Sequence, residues 1–189
     1  MERLDEAVFL ALNFDGGSAI DQAMFFVSGK LTWLPLYLLI IFLIWRRYGW
    51  RTTLFAVLLI AAAVGAADQI CNLFKNGLQM LRPNHDADVT HLMHFPLKNG
   101  EPYVNKGLYG TVSAHAATVV ALAWMSALMI RRRWYNWLIA VSVVLICYSR
   151  IYLACHFPMD LLLGTIVGTV TGVAMYFLWR KLDTILKSF

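Results

Sequence analysis

Thr52–Phe74 reads TTLFAVLLIAAAVGAADQICNLF, a run broken by one charge, Asp68. A helix of about 20 mostly apolar residues crosses the hydrocarbon core of a bilayer, so this stretch decides the fold class and predicts a membrane span. Four other segments share its character. Gln22–Trp45 holds one charge, Lys30, and Val112–Ile130 holds none, although it carries His115. Trp134–Ser149 is uncharged and is extended by Arg150–Ala154, and Phe157–Trp179 holds one charge, Asp160. Ahead of them, Leu4, Val8, Phe9, Ala11 and Leu12 fall on roughly one face of a helix too short to span, which reads as interfacial. The expectation is an all-α polytopic membrane helix bundle forming one domain over residues 1–189. Its five transmembrane helices lie at about 22–45, 52–74, 112–130, 134–154 and 157–179, with an N-terminal interfacial helix.

Composition agrees. Hydrophobic residues make up 60% of the chain and charged residues 14%, against about 45–50% and 25% in soluble domains. A soluble domain of 189 residues could not hide that much apolar surface. Disorder is excluded as well, because disordered chains are charged and poor in aromatics, and this one is 14% aromatic. A net charge of +5 in such a chain sets topology or attracts anionic substrates rather than binding nucleic acid. The three cysteines, Cys71, Cys147 and Cys155, match no zinc spacing. No cleavable leader is expected, since Glu2, Asp5, Glu6 and Asp15 give the first residues the wrong charge for one.

The connections set the orientation. Arg46, Arg47 and Arg51 follow the first span, Arg131–Arg133 the third, and Arg180, Lys181 and Lys187 the fifth. Short basic loops stay in the cytoplasm, so the N-terminus and the 84–111 loop are expected outside and the C-terminus inside, with the chain in the cytoplasmic (inner) membrane. Five of the seven tryptophans (Trp45, Trp50, Trp134, Trp137 and Trp179) stand at the inner ends, the position of an aromatic belt.

The remaining polar residues gather at the outer ends of four spans: Lys75 and Arg82, Ser113 and His115, Ser149 and Arg150, His156 and Asp160. Ionisable groups at membrane depth mark function. Three cations with so few anions predict an anionic ligand, and two guanidinium forks with a lysine suit phosphate. Pro158 fits the first turn of a helix, placing His156 at its mouth with Asp160 four residues on, on the same face. A carboxylate there can hold one imidazole nitrogen and present the other as a nucleophile. Ser113 and Ala114 offer a hydroxyl and free backbone N–H groups to an anion, and His115 can give a proton to a leaving oxygen.

Lys75-x6-Arg82-Pro83, Ser113-x-His115 and Ser149-Arg150-x5-His156-x3-Asp160 together resemble the three-part motif of the type 2 phosphatidic acid phosphatase (PAP2) family. In size the chain is similar to its compact bacterial lipid phosphatases, which act on undecaprenyl diphosphate or lipid A. The resemblance implies a phosphatase needing no metal and no cofactor and working through a phosphohistidine. His156 is then the nucleophile, His115 the general acid and Asp160 the group that orients His156. Lys75, Arg82, Ser113, the Ala114 N–H and Arg150 hold the phosphate. The family's second motif commonly has glycine or serine where this chain has Ala114, and alanine tolerates positive φ less readily than glycine. Many members also have six spans, the first being replaced here by the short N-terminal helix.

The expected function is removal of phosphate from a lipid phosphate or diphosphate at the outer face of the membrane, the substrate being undecaprenyl diphosphate or lipid A. Phosphatidylglycerol phosphate is an alternative substrate. A non-catalytic transporter or receptor for an anionic lipid would need the cations but not the His156–Asp160 couple. His85, His91 and His94, with Asp86 and Asp88, match no standard metal-ligand spacing, and the 84–111 loop reads as a substrate-selecting lid, with Lys98 and Lys106 solvated or facing headgroups. Cys155 reads as packing rather than chemistry. Lys30 and Asp68, the only charges inside the first two spans, are expected to pair directly or through water, or else Asp68 supports Lys75 from two turns away. Nothing in the sequence speaks to oligomeric state.

Overall fold

The structure, a computed structural model, describes residues 2–186; Lys187, the last cation of the inner cluster, lies outside them. Its helices are α1 (Glu2–Leu12), α2 (Gly17–Ser28), α3 (Leu34–Tyr48), α4 (Trp50–Leu78), α5 (Ala87–Thr90), α6 (Ala114–Ile130), α7 (Arg133–Tyr152) and α8 (Pro158–Leu186). Two-residue strands β1 (Leu97–Lys98) and β2 (Glu101–Pro102) form an antiparallel hairpin in the loop between α5 and α6. Among the described residues, four segments are long and apolar enough to cross a membrane: Leu31–Tyr48, Trp50–Leu78, Arg133–Tyr152 and Pro158–Thr184. The chain is a membrane protein with an all-helical core. α6 is apolar but only 17 residues long, about 25 Å at 1.5 Å per residue.

The expected first span, 22–45, is not one helix. α2 ends at Ser28, Gly29 is extended (φ −73°, ψ 131°), and a 3-10 turn at Leu31–Trp33 leads into α3. The reason is Pro35, which stands in the first turn of α3. A proline inside a helix removes a backbone donor and clashes with the preceding turn, whereas at a helix start it fits. The carbonyls freed at the end of α2 are taken by side chains: Thr32 Oγ1 donates to Phe26 O (2.5 Å) and Trp33 Nε1 to Val27 O (2.8 Å).

α6 is the central helix, packed against α8, α4 and α7, with its widest contact on α8. Gly164, Gly168 and Gly172 make that contact close. A Cβ placed on them would stand 2.5 Å from Ser113 O, 2.3 Å from Ala117 O and 2.6 Å from Ala121 O respectively. Small residues four apart let two helix backbones meet where no hydrophobic effect drives helices together. The half of the bundle nearest the α3–α4 and α6–α7 connections is filled by Ile44, Met125, Met129, Tyr135, Tyr176 and Trp179. Trp179, at 3% exposure, is therefore core rather than belt; it packs against Tyr48 and Tyr176, while Trp45, Trp50, Trp134 and Trp137 are exposed. At the same end, Arg47 Nη1 donates to Ile130 O and Tyr48 OH to Met129 O, satisfying the last carbonyls of α6.

α1 docks on the other end of the bundle. Phe9 is fully buried in a cluster with Val89, Met93, Ala116, Ile151 and Leu161, edge-on to Phe157. Asp5 Oδ1 accepts the Met159 N–H at the start of α8 (2.9 Å), a cap supplied from another helix. Beside it lies a buried polar knot. Asp21, 1% exposed, accepts from Tyr152 OH (2.6 Å) and the Leu97 N–H (2.7 Å) and sits 3.1 Å from His94 Nε2. Asn13 joins Tyr152 O to the His94 N–H. The α2 helix, the hairpin loop and the end of α7 are thus tied at one carboxylate.

Candidate active site

Each motif residue is delivered by a chain feature that fixes its direction. α4 ends at Leu78 with Gln79 left-handed (φ 50°) and its N–H on Lys75 O, placing Lys75 in the last turn. Pro83 forces the residue before it out of the helical region, and Arg82 is extended (φ −78°, ψ 157°). The segment is held in place by backbone bonds from Arg82 N to Leu108 O (3.1 Å) and from Gly110 N to Met80 O (2.8 Å). Gly110 must be small here, because a Cβ would stand 3.0 Å from Asp160 Oδ2 and 3.2 Å from Arg82 Cγ.

Ser113 is the N-cap of α6: its Oγ accepts the Ala116 N–H at 3.4 Å, and its own N–H donates to Asp160 O at 3.0 Å. Ala114 is the first helical residue and is not among the residues with positive φ, so glycine's freedom is not required there. α7 ends at Tyr152; Cys155 N then bonds back to Arg150 O (3.0 Å) across a left-handed Ala154 (φ 50°). That tight reversal brings His156 back over the bundle and starts α8 at Pro158.

The result is one constellation. His156, 2% exposed, has Nδ1 3.2 Å from Asp160 Oδ2 and Nε2 3.3 Å from Arg82 Nη1. Asp160 Oδ2 also accepts the Phe157 N–H at 3.2 Å, and Arg82 Nη1 donates to Cys155 O at 2.7 Å. Arg150 Nη1 donates to Ser28 Oγ. Burial, then the charges of Arg82, Arg150 and Lys75, hold the His156 imidazole well below its usual range, so it is neutral and carries a lone pair at pH 7.

Lys75, Arg82, Ala114, His115, Arg150 and His156 line one cavity of about 900 Å³. Ser113 and Asp160 stand behind its wall. Nε of Arg82 and Nε of Arg150 are buried donors with no partner among the described residues, a costly arrangement that suits an acceptor-rich anion. The cavity continues away from these groups between α3 and α4, past Trp33, Tyr37, Ile40 and Ile41 on one side and Val64, Ala61, Ile60 and Val57 on the other. From Lys75 to Val57 is about 27 Å along α4.

Sequence reasoning missed several residues here. Ser28 and Lys30 enter from the α2–α3 break, and Asn105 is the 84–111 loop's contribution to the wall. Asn105 O is 2.8 Å from His85 Nε2, and Asn105 Nδ2 donates to Cys155 Sγ at 3.4 Å, so Cys155 packs. His91 turns back on Ala87 O and His94 belongs to the Asp21 knot; the loop histidines do not converge. Lys98 is not simply solvated: its Nζ lies over the rings of Phe25 and Tyr103. Lys30 and Asp68 both line the cavity but form no ion pair within 4 Å among the described residues, and Asp68 accepts instead from Asn72 Nδ2 at 3.1 Å. The proline at 35 and the serine–glycine pair before Lys30 were the available signals for this wall.

The sequence model of the PAP2 superfamily matches residues 55–183. A lipid A 4'-phosphatase of Bacteroides thetaiotaomicron is 32% identical over 98% of this chain and 81% of its own length. An undecaprenyl-diphosphatase of Sulfolobus acidocaldarius is 27% identical over 86% of this chain and 72% of its own. A crystal structure of a transmembrane PAP2-type phosphatidylglycerolphosphate phosphatase from Bacillus subtilis superposes with a TM-score of 0.68 at 19% identity, covering 100% of this chain and 88% of that one.

Proposed function

The chain belongs to the PAP2 superfamily and is a membrane phosphatase, and on that premise we propose that it removes phosphate from a lipid phosphate or diphosphate through a phosphohistidine at His156. The observation that carries this reading is the shape of the cavity. Cations and both motif histidines stand at one end, and an apolar groove between α3 and α4 leads away from them, the combination that suits a phosphate headgroup with an apolar tail.

In this reading Lys75, Arg82, Arg150, the Ser113 hydroxyl and the Ala114 N–H bind the phosphate. Nε2 of His156 attacks phosphorus, the bond from phosphorus to the lipid oxygen breaks, and His115 gives that oxygen its proton. Nδ1–H donates to Asp160 throughout, stabilising the positive imidazole that the N–P bond creates. Water, deprotonated by His115, then cleaves the N–P bond and frees phosphate.

The substrate reading follows the relatives: lipid A or undecaprenyl diphosphate, with phosphatidylglycerol phosphate as the alternative. The full arrangement is five spans, the short α6 crossing along with the four longer segments, with α1 lying at the interface. α6 can be short because half of its side chains are buried against other helices, so it need not match the bilayer. In this reading the basic α3–α4 and α6–α7 connections face the cytoplasm, as short basic loops do, and the cavity mouth opens at the outer face of the inner membrane.

The test is phosphate release by the purified protein from lipid A, undecaprenyl diphosphate and phosphatidylglycerol phosphate in matched detergent, with and without EDTA. Release from at least one, unaffected by EDTA and lost in His156→Ala, is the expected result. Tight lipid binding with no release from any would favour the transporter or receptor reading.

A further inference from the structure

Lys30 lies outside the three motifs and comes from the break between α2 and α3, yet it lines the same cavity as Lys75, Arg82, His115 and Arg150. Its distance from the phosphate-binding end is bounded by the chain. Ser28 Oγ accepts from the Arg150 guanidinium, and Lys30 is two residues further on, at most about 7 Å of backbone away. The turn that carries it is anchored by the Thr32 and Trp33 side chains on the carbonyls of Phe26 and Val27. The Lys30 side chain makes no hydrogen bond or ion pair among the described residues, and the carboxylate in the cavity wall, Asp68, accepts from Asn72.

Charge decides what such a lysine is for. A phosphate monoester carries about −1.5 to −2 at neutral pH, and Lys75, Arg82 and Arg150 already supply three positive charges. A fourth cation beside them exceeds what a monoester needs and suits a second, adjacent anionic group. On the apolar side of Lys30 the α3 wall turns to Trp33, Tyr37 and Ile40, so the group it meets lies between the transferred phosphate and the tail.

We propose that Lys30 is a subsite for the second phosphate of a lipid diphosphate, the one that stays on the lipid when the terminal phosphate is transferred. This rests on the phosphatase reading above and narrows its substrate class. His156 Nε2 bonds to the terminal phosphorus and the bridging P–O bond breaks. The bridging oxygen leaves as part of the lipid monophosphate, taking its proton from His115, and Lys30 neutralises the charge gathering on that leaving phosphate. Lys30 is thus a specificity residue, whereas Lys75, Arg82 and Arg150 serve monoesters and diphosphates alike.

The experiment uses the full chain in detergent and two non-hydrolysable probes with the same prenyl tail, a prenyl phosphonate and a prenyl methylenediphosphonate, with binding read by calorimetry. Turnover of the matching prenyl monophosphate and prenyl diphosphate is measured in parallel. Lys30→Met is expected to lower the preference for the diphosphonate, taken as the ratio of the two Kd values, about tenfold, and to lower the diphosphate to monophosphate ratio of kcat/KM by a similar factor. Lys30→Arg should restore both ratios to within threefold. Equal weakening of both probes, or no change in either, overturns the subsite. So does a stability loss in Lys30→Met that Asp68→Asn rescues while both ratios stay fixed, because Lys30 would then be a partner of Asp68. If the wild type binds the probes with the expected ratio but hydrolyses neither substrate, the phosphatase reading fails and the subsite stands.

Discussion

Nη1 of Arg82 stands 3.3 Å from Nε2 of His156. Arginine only donates, so Nε2 must be the accepting nitrogen and Nδ1 must carry the hydrogen, which it directs at Asp160 Oδ2 3.2 Å away. One tautomer satisfies both contacts, and in it the Nε2 lone pair is directed at the Arg82 guanidinium. The same arginine that prepares the phosphate cradle therefore also fixes which nitrogen can attack. Its Nη1 is anchored on Cys155 O as well, so the guanidinium is oriented before any phosphate arrives.

His156→Ala should abolish turnover while leaving the thermal transition of the purified protein within a few degrees. Rapid quench of the wild type with radiolabelled substrate should trap phosphate on the chain that is acid-labile and base-stable. Near-normal activity in the variant would end the phosphohistidine reading. Asp160→Asn should keep the fold but lower kcat on the order of 10²–10⁴-fold, since a neutral amide orients the ring without stabilising its positive form.

Burial and neighbouring cations depress the His156 pKa, which gives a signed pH prediction. The native ring is neutral, while in the unfolded chain it takes up a proton below about 6.5. The contribution to stability is therefore fully present above that pH and is lost as pH falls below it, towards the folded pKa. Between pH 7 and pH 5 the melting temperature of the wild type should fall further than that of His156→Gln, which cannot titrate. Parallel curves would mean the ring is not held neutral.

Gly168→Ala should destabilise by about 1–3 kcal/mol through overpacking, because the new Cβ would meet Ala117 O at 2.3 Å. Activity should fall with it, since Ser113 and His115 ride on one side of that contact and Asp160 on the other. Gly65→Ala is the control: nothing lies within 4 Å of a Cβ there. Equal melting temperatures for the two variants would show that the glycine contact does not hold α6 to α8.

Tyr152→Phe removes the hydroxyl that donates to the buried Asp21 at 2.6 Å and should cost about 1–3 kcal/mol. Asp21→Ala, which strands the Leu97 N–H, Tyr152 OH and His94 together, should cost more. It should also make the 84–111 loop the first site of limited proteolysis. A loop no more sensitive than in the wild type would show that the knot does not restrain it.

Glu101→Cys, on the exposed hairpin, should react with a membrane-impermeant thiol reagent in cells whose outer membrane has been permeabilised. Labelling that needs lysis of the inner membrane would reverse the orientation and move the cavity to the other leaflet.

The sequence alone determined the helical membrane class and the motif residues, because both depend on local facts: runs of apolar residues with almost no charge, and charges confined to the ends of those runs. Lys75, Arg82, His115, Arg150, His156 and Asp160 were legible because any antiparallel arrangement of such spans brings their outer ends together. Only the tertiary structure decided the rest. The break in Gln22–Trp45 was signalled by Pro35, but its path depended on how Thr32 and Trp33 could satisfy the carbonyls of the broken helix. Trp179 became core because Tyr48 and Tyr176 close over it. The fit of α6 to α8 was written as three glycines four apart, but which helix they met was not. The remaining contacts join residues far apart in the chain: Ser28 to Arg150, Asp21 to Tyr152, Asp5 to the start of α8, separations of 122, 131 and 154 residues. Hydropathy and spacing describe what each segment can do within its own turn of helix; a hydrogen bond between two segments exists only when packing brings donor and acceptor to about 3 Å.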